Sequence, residues 1–160
     1  MKNARLLHYS HCVADLERSR RFYVDVLDFR LVTEFEFDDA ATARVMGLAW
    51  CRFKALFLQR DGMRIELIAF AEPPPERSLR KRKANEIGHS HLSFYVLDLD
   101  ASLAELAAKG VVIEEATRTV LPSGIPCCVV RDPDGFAIEI VQVPSLDLVP
   151  YDVPYVAPEA

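Results

Sequence analysis

Two histidines and two glutamates recur at matching places in this 160-residue chain. His8-Tyr9-Ser10-His11-Cys12-Val13-Ala14-Asp15-Leu16 aligns with His91-Leu92-Ser93-Phe94-Tyr95-Val96-Leu97-Asp98-Leu99, so His, Ser, Val, Asp and Leu coincide. Asp61-Gly62-Met63-Arg64-Ile65-Glu66-Leu67-Ile68 aligns with Asp134-Gly135-Phe136-Ala137-Ile138-Glu139-Ile140-Val141, where Asp, Gly, Ile and Glu coincide. The two blocks keep their order, which marks an internal duplication. In a strand, alternate residues share a face, so His8, Ser10 and Cys12 point one way and Tyr9, His11 and Val13 the other. His91, Ser93 and Tyr95 likewise share a face. Glu66 and Glu139 each point away from the isoleucines and leucine that flank them. An acid inside an apolar strand is costly unless its charge is compensated. Two such acids and two histidines at equivalent positions point to one shared cation. Imidazoles with carboxylates suit Zn²⁺, Ni²⁺, Co²⁺, Mn²⁺ or Fe²⁺.

The elements that must position these groups follow the same order in each half. In the first, residues 5–13 read as a strand. An amphipathic helix capped by Asp15 follows, with Leu16, Tyr23, Val26 and Leu27 as its apolar stripe. Strands are expected over 29–37, 49–59 and 63–70, the last two joined by a hairpin turn at Asp61-Gly62. Residues 38–47 read as a short inserted helix or loop. In the second half, a strand near 88–97 precedes a helix from Asp100 to Lys109, with Leu99, Leu103 and Leu106 buried and Gly110 as the stop. Strands near 111–119, 125–131 and 136–143 complete it. The expected fold is α+β, with two βαβββ modules over 1–72 and 88–143. Residues 73–87, with Pro73-Pro74-Pro75 and the basic run Arg77 to Lys83, form a linker. Residues 144–160 form a Pro-rich tail.

Composition narrows the function. The chain is 51% hydrophobic and 27% charged, with a formal net charge of −5, which is globular and acidic. Nucleic acid and an anionic membrane surface are poor partners for it. No apolar run reaches the roughly 20 residues of a membrane span, and the N-terminus lacks a signal peptide's apolar block. The four cysteines read as reduced thiols, and the location as cytoplasmic. Two assignments need a choice. His89 would face the same side as His91, but His91 lies five before Val96, as His8 lies five before Val13. His11 falls on the helix side, where it reads as structural. Alternation gives a cavity-facing set of Ser10, Cys12, Ile68, Phe70, Ser93, Tyr95 and Val141. Its mixed, apolar character suits a small oxo, hydroxy or aromatic compound. Arg64 faces as Glu66 does, and pairs either with a substrate carboxylate or with Glu66 itself. Cys12 reads as packing rather than as a nucleophile.

The chain resembles the vicinal oxygen chelate superfamily, also called the glyoxalase/bleomycin-resistance/extradiol-dioxygenase group, over about residues 5–143. The carriers are His8 and Val13-Ala14-Asp15-Leu16-Glu17-Arg18-Ser19, then Phe22-Tyr23-Val24-Asp25-Val26-Leu27-Asp28-Phe29. Ile65-Glu66-Leu67, Gly88-His89-Ser90-His91, Arg131-Asp132-Pro133-Asp134-Gly135 and Ile138-Glu139 add to these. The resemblance implies sheets that curl into a cupped, barrel-like cavity. It also implies one divalent metal ion per site, held by His8, Glu66, His91 and Glu139. It implies a small-molecule substrate and a homodimer. The chemistry implied is isomerisation, epimerisation or lyase action on an oxo or thioester compound through a metal-stabilised enediolate, with Glu139 or Glu66 as base. Extradiol ring cleavage and metal-free binding or resistance are the alternatives. At the positions where glyoxalase I carries an Arg and an Asn for glutathione, this chain has Cys12 and Phe70. Methylmalonyl-CoA epimerases resemble it in layout, and Arg80 to Lys83 would suit the phosphates of a CoA thioester.

Overall fold

The computed structural model describes residues 6–76 and 84–146, which fall into two compact units. The basic run Arg77 to Lys83 and most of the Pro-rich tail lie outside the described residues. The first unit runs β1 (Tyr9–Cys12), α1 (Leu16–Arg21), β2 (Arg30–Asp38), α2 (Ala40–Val45), β3 (Arg52–Arg60) and β4 (Met63–Glu72). Its four-stranded sheet has the order β1-β4-β3-β2, with β1 parallel to β4 and the other pairs antiparallel. The second runs β5 (His91–Val96), α3 (Leu99–Ala108), β6 (Ile113–Val120), β7 (Pro126–Arg131) and β8 (Ala137–Gln142). Its order, β5-β8-β7-β6, repeats the first, again with a parallel pair between the first and last strands. The fold is therefore α+β, built from two βαβββ modules.

Local chemistry explains where the elements begin and turn. The Asp15 carboxylate accepts from the Arg18 backbone N–H at 2.9 Å, and the Asp98 carboxylate from that of Ala101 at 3.0 Å. Each closes the open first turn of its helix. Asp61 and Gly62, at φ of 48° and 73°, form the tight β3–β4 turn. Two successive positive φ values are what a two-residue hairpin requires, and glycine takes the second without strain.

Some boundaries differ from the expected ones. β1 starts only at Tyr9, so His8 stands just before the strand. The helix expected to continue to Leu27 is α-helical only through Arg21, then widens into a π-helical turn over Phe22–Val26. That wider turn carries Phe22 and Tyr23 inward together, at 8% and 1% exposure. The inserted segment is a helix, α2, capped by Asp39, which accepts from the Ala41 and Thr42 N–H groups.

One face of each sheet packs on its helix. In the first module Val13, Tyr23, Leu58, Ile65 and Leu67 are buried there, and His11 meets the Tyr23 ring edge-on at 6.5 Å. In the second, Cys128, Val130, Ile138 and Ile140 are buried, with Leu99, Leu103 and Leu106 of α3 also buried. The opposite faces carry the histidines and glutamates.

Candidate functional site

Register brings the polar groups together within each module. The parallel β1–β4 pairing sets Ser10 beside Glu66, and the parallel β5–β8 pairing sets Ser93 beside Glu139. The Ser10 hydroxyl donates to Glu66 Oε2, and the Ser93 hydroxyl donates to Glu139 Oε2 at 2.9 Å. His8 Nε2 lies 3.1 Å from Glu66 Oε2; His91 Nε2 lies 3.8 Å from Glu139 Oε2. The duplicated unit is therefore a His–Ser–Glu set. The serines, expected as cavity lining, are also the carboxylates' hydrogen-bond donors. The shared spacing and the parallel pairing were the signals for this role.

The two sets differ in their walls. In the first module the Glu66 side chain is 8% exposed and that of His8 25%. Phe57, directly opposite Glu66 on β3, meets the His8 ring edge-on at 4.9 Å. From there Phe35, Phe37, Phe53 and Phe70 continue ring against ring along the same face. This aromatic strip was not anticipated, although Phe35, Phe37, Phe53 and Phe57 alternate through two strands with the right period. Ile68, expected to line a cavity, is instead buried with Ala43 of α2, Cys51, Phe53 and Ala55, and Phe70 packs on the same cluster. The inserted α2 thus covers that end of the face. Val141, in the same expected set, is buried at 8% exposure. Arg64 lies two residues before Glu66, opposite Gln59 on β3.

In the second module the side chains of His91 and Glu139 are 44% and 32% exposed. Tyr95 is exposed, and Val129 stands where the first module has Phe57. Arg131 pairs with Glu114 at 3.1 Å and donates to the Gly135 carbonyl. All four cysteines are free. Cys12 is exposed, while Cys51, Cys127 and Cys128 are buried. Burial pushes the Cys51 and Cys127 thiols up, with nearby carboxylates adding to the shift, so neither is an activated thiolate.

Two open hollows, of about 380 and 470 Å³, lie at matching places beside the starts of α1 and α3. Their linings include the ion pairs Arg20–Glu17 and Arg118–Asp100, and neither holds a His–Glu pair. The His–Glu pairs lie outside both hollows.

Within each module the His–Glu pair is of a kind that suits a divalent ion. Donors bound about 2.1 Å from one ion stand about 3 to 3.5 Å apart; the first module's Nε2···Oε2 separation of 3.1 Å falls in that range and the second module's 3.8 Å lies above it. Glu66 is a buried carboxylate facing an imidazole whose other nitrogen, Nδ1, is buried without a hydrogen-bond partner among the described residues. A divalent ion bound by both groups would offset the charge of that buried carboxylate. Among the described residues no three His, Cys, Asp or Glu side chains form a metal-holding group by themselves; each module supplies a pair.

Known proteins agree with this architecture. The uncharacterized protein YwkD of Bacillus subtilis (strain 168) is 31% identical over 136 residues, 84% of this chain and 94% of that protein. A glyoxalase family protein from Bacillus cereus superposes with a TM-score of 0.73 at 23% identity, over 89% of this chain and 97% of its own. Leishmania major glyoxalase I gives 0.60 at 22%, over 88% and 87%. Lactoylglutathione lyase from Agrobacterium tumefaciens gives 0.56 at 19%, over 89% and 96%. These structural likenesses speak to the fold. A family model matches residues 5–140, and the chain belongs to the Glyoxalase/Bleomycin resistance protein/Dioxygenase superfamily.

Proposed function

We propose that the protein is a divalent-metal-dependent enzyme of this superfamily, in which His8, Glu66, His91 and Glu139 hold one ion of the Zn, Ni, Co, Mn or Fe class. Its reaction is isomerisation, epimerisation or lyase cleavage of a small oxo or thioester compound. The observation that carries the reading is the duplicated His–Ser–Glu set, in which each imidazole Nε2 faces a carboxylate oxygen across 3.1 or 3.8 Å. The bound ion would supply Lewis-acid stabilisation of an enediolate.

The chain's own groups divide the remaining work. Glu66, buried and held by both His8 and Ser10, is the fixed charge. Glu139 is more exposed and stands farther from its histidine, so it is the freer carboxylate to take a substrate proton. Ser93 steadies it through Oε2. Ser10, Cys12, Arg64, Phe70, Ser93 and Tyr95 contact the substrate, with Arg64 offering a guanidinium to a substrate carboxylate. Phe70 packs on Phe53 at 4.9 Å and so gives apolar contact where a glutathione-binding enzyme would need an amide. The working form is a homodimer, which light scattering would check.

Elemental analysis followed by a screen of metal-loaded protein tests the reading. The screen covers oxo-thioesters, hemithioacetals and catechols. Bound metal with turnover of the first or second class supports it; turnover of catechols alone makes the protein a ring-cleaving dioxygenase. Protein that stays metal-free after soaking in Ni²⁺, Zn²⁺ and Mn²⁺ overturns it in favour of a binding role.

A further inference from the structure

We infer that Ser90 is a positioning residue that makes His91 the anchoring imidazole of the metal site. The inference rests on the reading that His91 holds the ion. Ser90 Oγ lies 2.9 Å from His91 Nδ1, a hydrogen-bonding distance. His91 Nε2 is 3.8 Å from Glu139, too far for a hydrogen bond, so the serine contact sets the ring's orientation from its far side. A hydroxyl can accept as well as donate. When Nε2 gives its lone pair to a cation, the ring proton must sit on Nδ1, and Ser90 accepts it there. An acceptor behind a ligating histidine fixes the ring's tautomer and raises its basicity.

The first module lacks this device. Leu7 occupies the place equivalent to Ser90, and its side chain offers no acceptor. His8 Nδ1 is buried with no hydrogen-bond partner among the described residues, and the His8 ring is steadied by the Phe57 edge instead. A proton forced onto that nitrogen by ligation through Nε2 would go unsatisfied. The two imidazoles are therefore unequal, with His91 the stronger ligand.

The test uses the full chain loaded with Zn²⁺. Calorimetry on the parent, Ser90→Ala, Ser90→Thr and His91→Ala gives zinc affinities, and imidazole-detected NMR follows the His91 Nδ1 proton. Ser90→Ala should weaken zinc about tenfold and expose that proton to rapid solvent exchange, and Ser90→Thr should restore both. Unchanged affinity and an unchanged ring proton in Ser90→Ala, with His91→Ala weakened, would overturn the role of Ser90 while sparing the metal reading. Unchanged zinc affinity in His91→Ala would overturn the metal reading, and the inference with it. Ser90 is exposed and outside any strand, so its substitutions test the ring rather than the fold.

Discussion

The first module encloses its His–Glu pair, and the second leaves its own open. Glu66 and His8 are 8% and 25% exposed against 32% and 44% for Glu139 and His91. The cause lies in the neighbouring strands. Phe57 stands opposite Glu66, whereas Val129 stands opposite Glu139. The first module alone has the inserted α2, which covers one end of the aromatic strip. Duplication has kept the His, Ser and Glu in register and let their surroundings diverge. On the proposed reading, one copy holds a charge still and the other leaves room for a carboxylate to move.

The largest expected effect separates these roles. Glu139→Gln should lower turnover by roughly 10²–10⁴-fold in the metal-loaded enzyme, with little change in thermal midpoint. Steady-state kinetics on the substrate class found by the screen measures it. Equal turnover to the parent would remove the distinction between the two glutamates.

The enclosed wall predicts a stability contrast. Phe53, 1% exposed within the aromatic strip, should cost about 3–5 kcal/mol on truncation to alanine. Val129→Ala, on the open face, should cost clearly less. Denaturant unfolding of both variants compares them, and similar losses would mean that the second face is as closely packed as the first.

The two copies also turn differently before their last strand. The first uses the tight Asp61-Gly62 hairpin. The second uses Asp132, 4% exposed, whose carboxylate accepts from the Asp134 and Phe136 N–H groups at 2.9 and 2.7 Å. Asp132→Ala leaves those donors without their acceptor and should cost about 1–3 kcal/mol, again read by denaturant unfolding.

How much of this was legible in the sequence follows from what repeats and what does not. The duplicated blocks exposed the βαβββ order and the four candidate ligands, because alternation around Ile65-Glu66-Leu67 and Ile138-Glu139-Ile140 leaves each acid on the non-helix face. Asp15 announced its cap, and Asp61-Gly62 its turn. The π-helical turn at Phe22–Val26 was hidden, since α and π turns share their apolar residues and differ only in which carbonyl accepts. Ile68 was misread because alternation assigns a face but not what covers it; α2 arrives from elsewhere in the chain. The roles of Ser10 and Ser93 depended on the parallel strand register, which alternation within one strand does not supply.

The smallest expected effect is confined to the first module and to acid. The Arg18 backbone N–H holds the Asp15 carboxyl below the ordinary carboxylate value, and the Thr42 backbone N–H does the same for Asp39. Both carboxyls are more acidic in the folded state. Their contribution is therefore complete above the ordinary carboxylate range and is lost as pH falls through the lowered values, below about pH 4. Asp39→Asn keeps a capping oxygen without the charge. Its thermal midpoint should converge on that of the parent as the solution is acidified through that range; a constant gap would show that the charge is not what Asp39 contributes.

The measurement that bears most directly on the central claim is metal stoichiometry and affinity, by calorimetry and elemental analysis, for the parent, His8→Ala and His91→Ala. A single ion per chain, with binding weakened sharply by either substitution, is the result expected if both modules serve one centre. Binding untouched by the loss of either histidine, or two independent ions per chain, would contradict it.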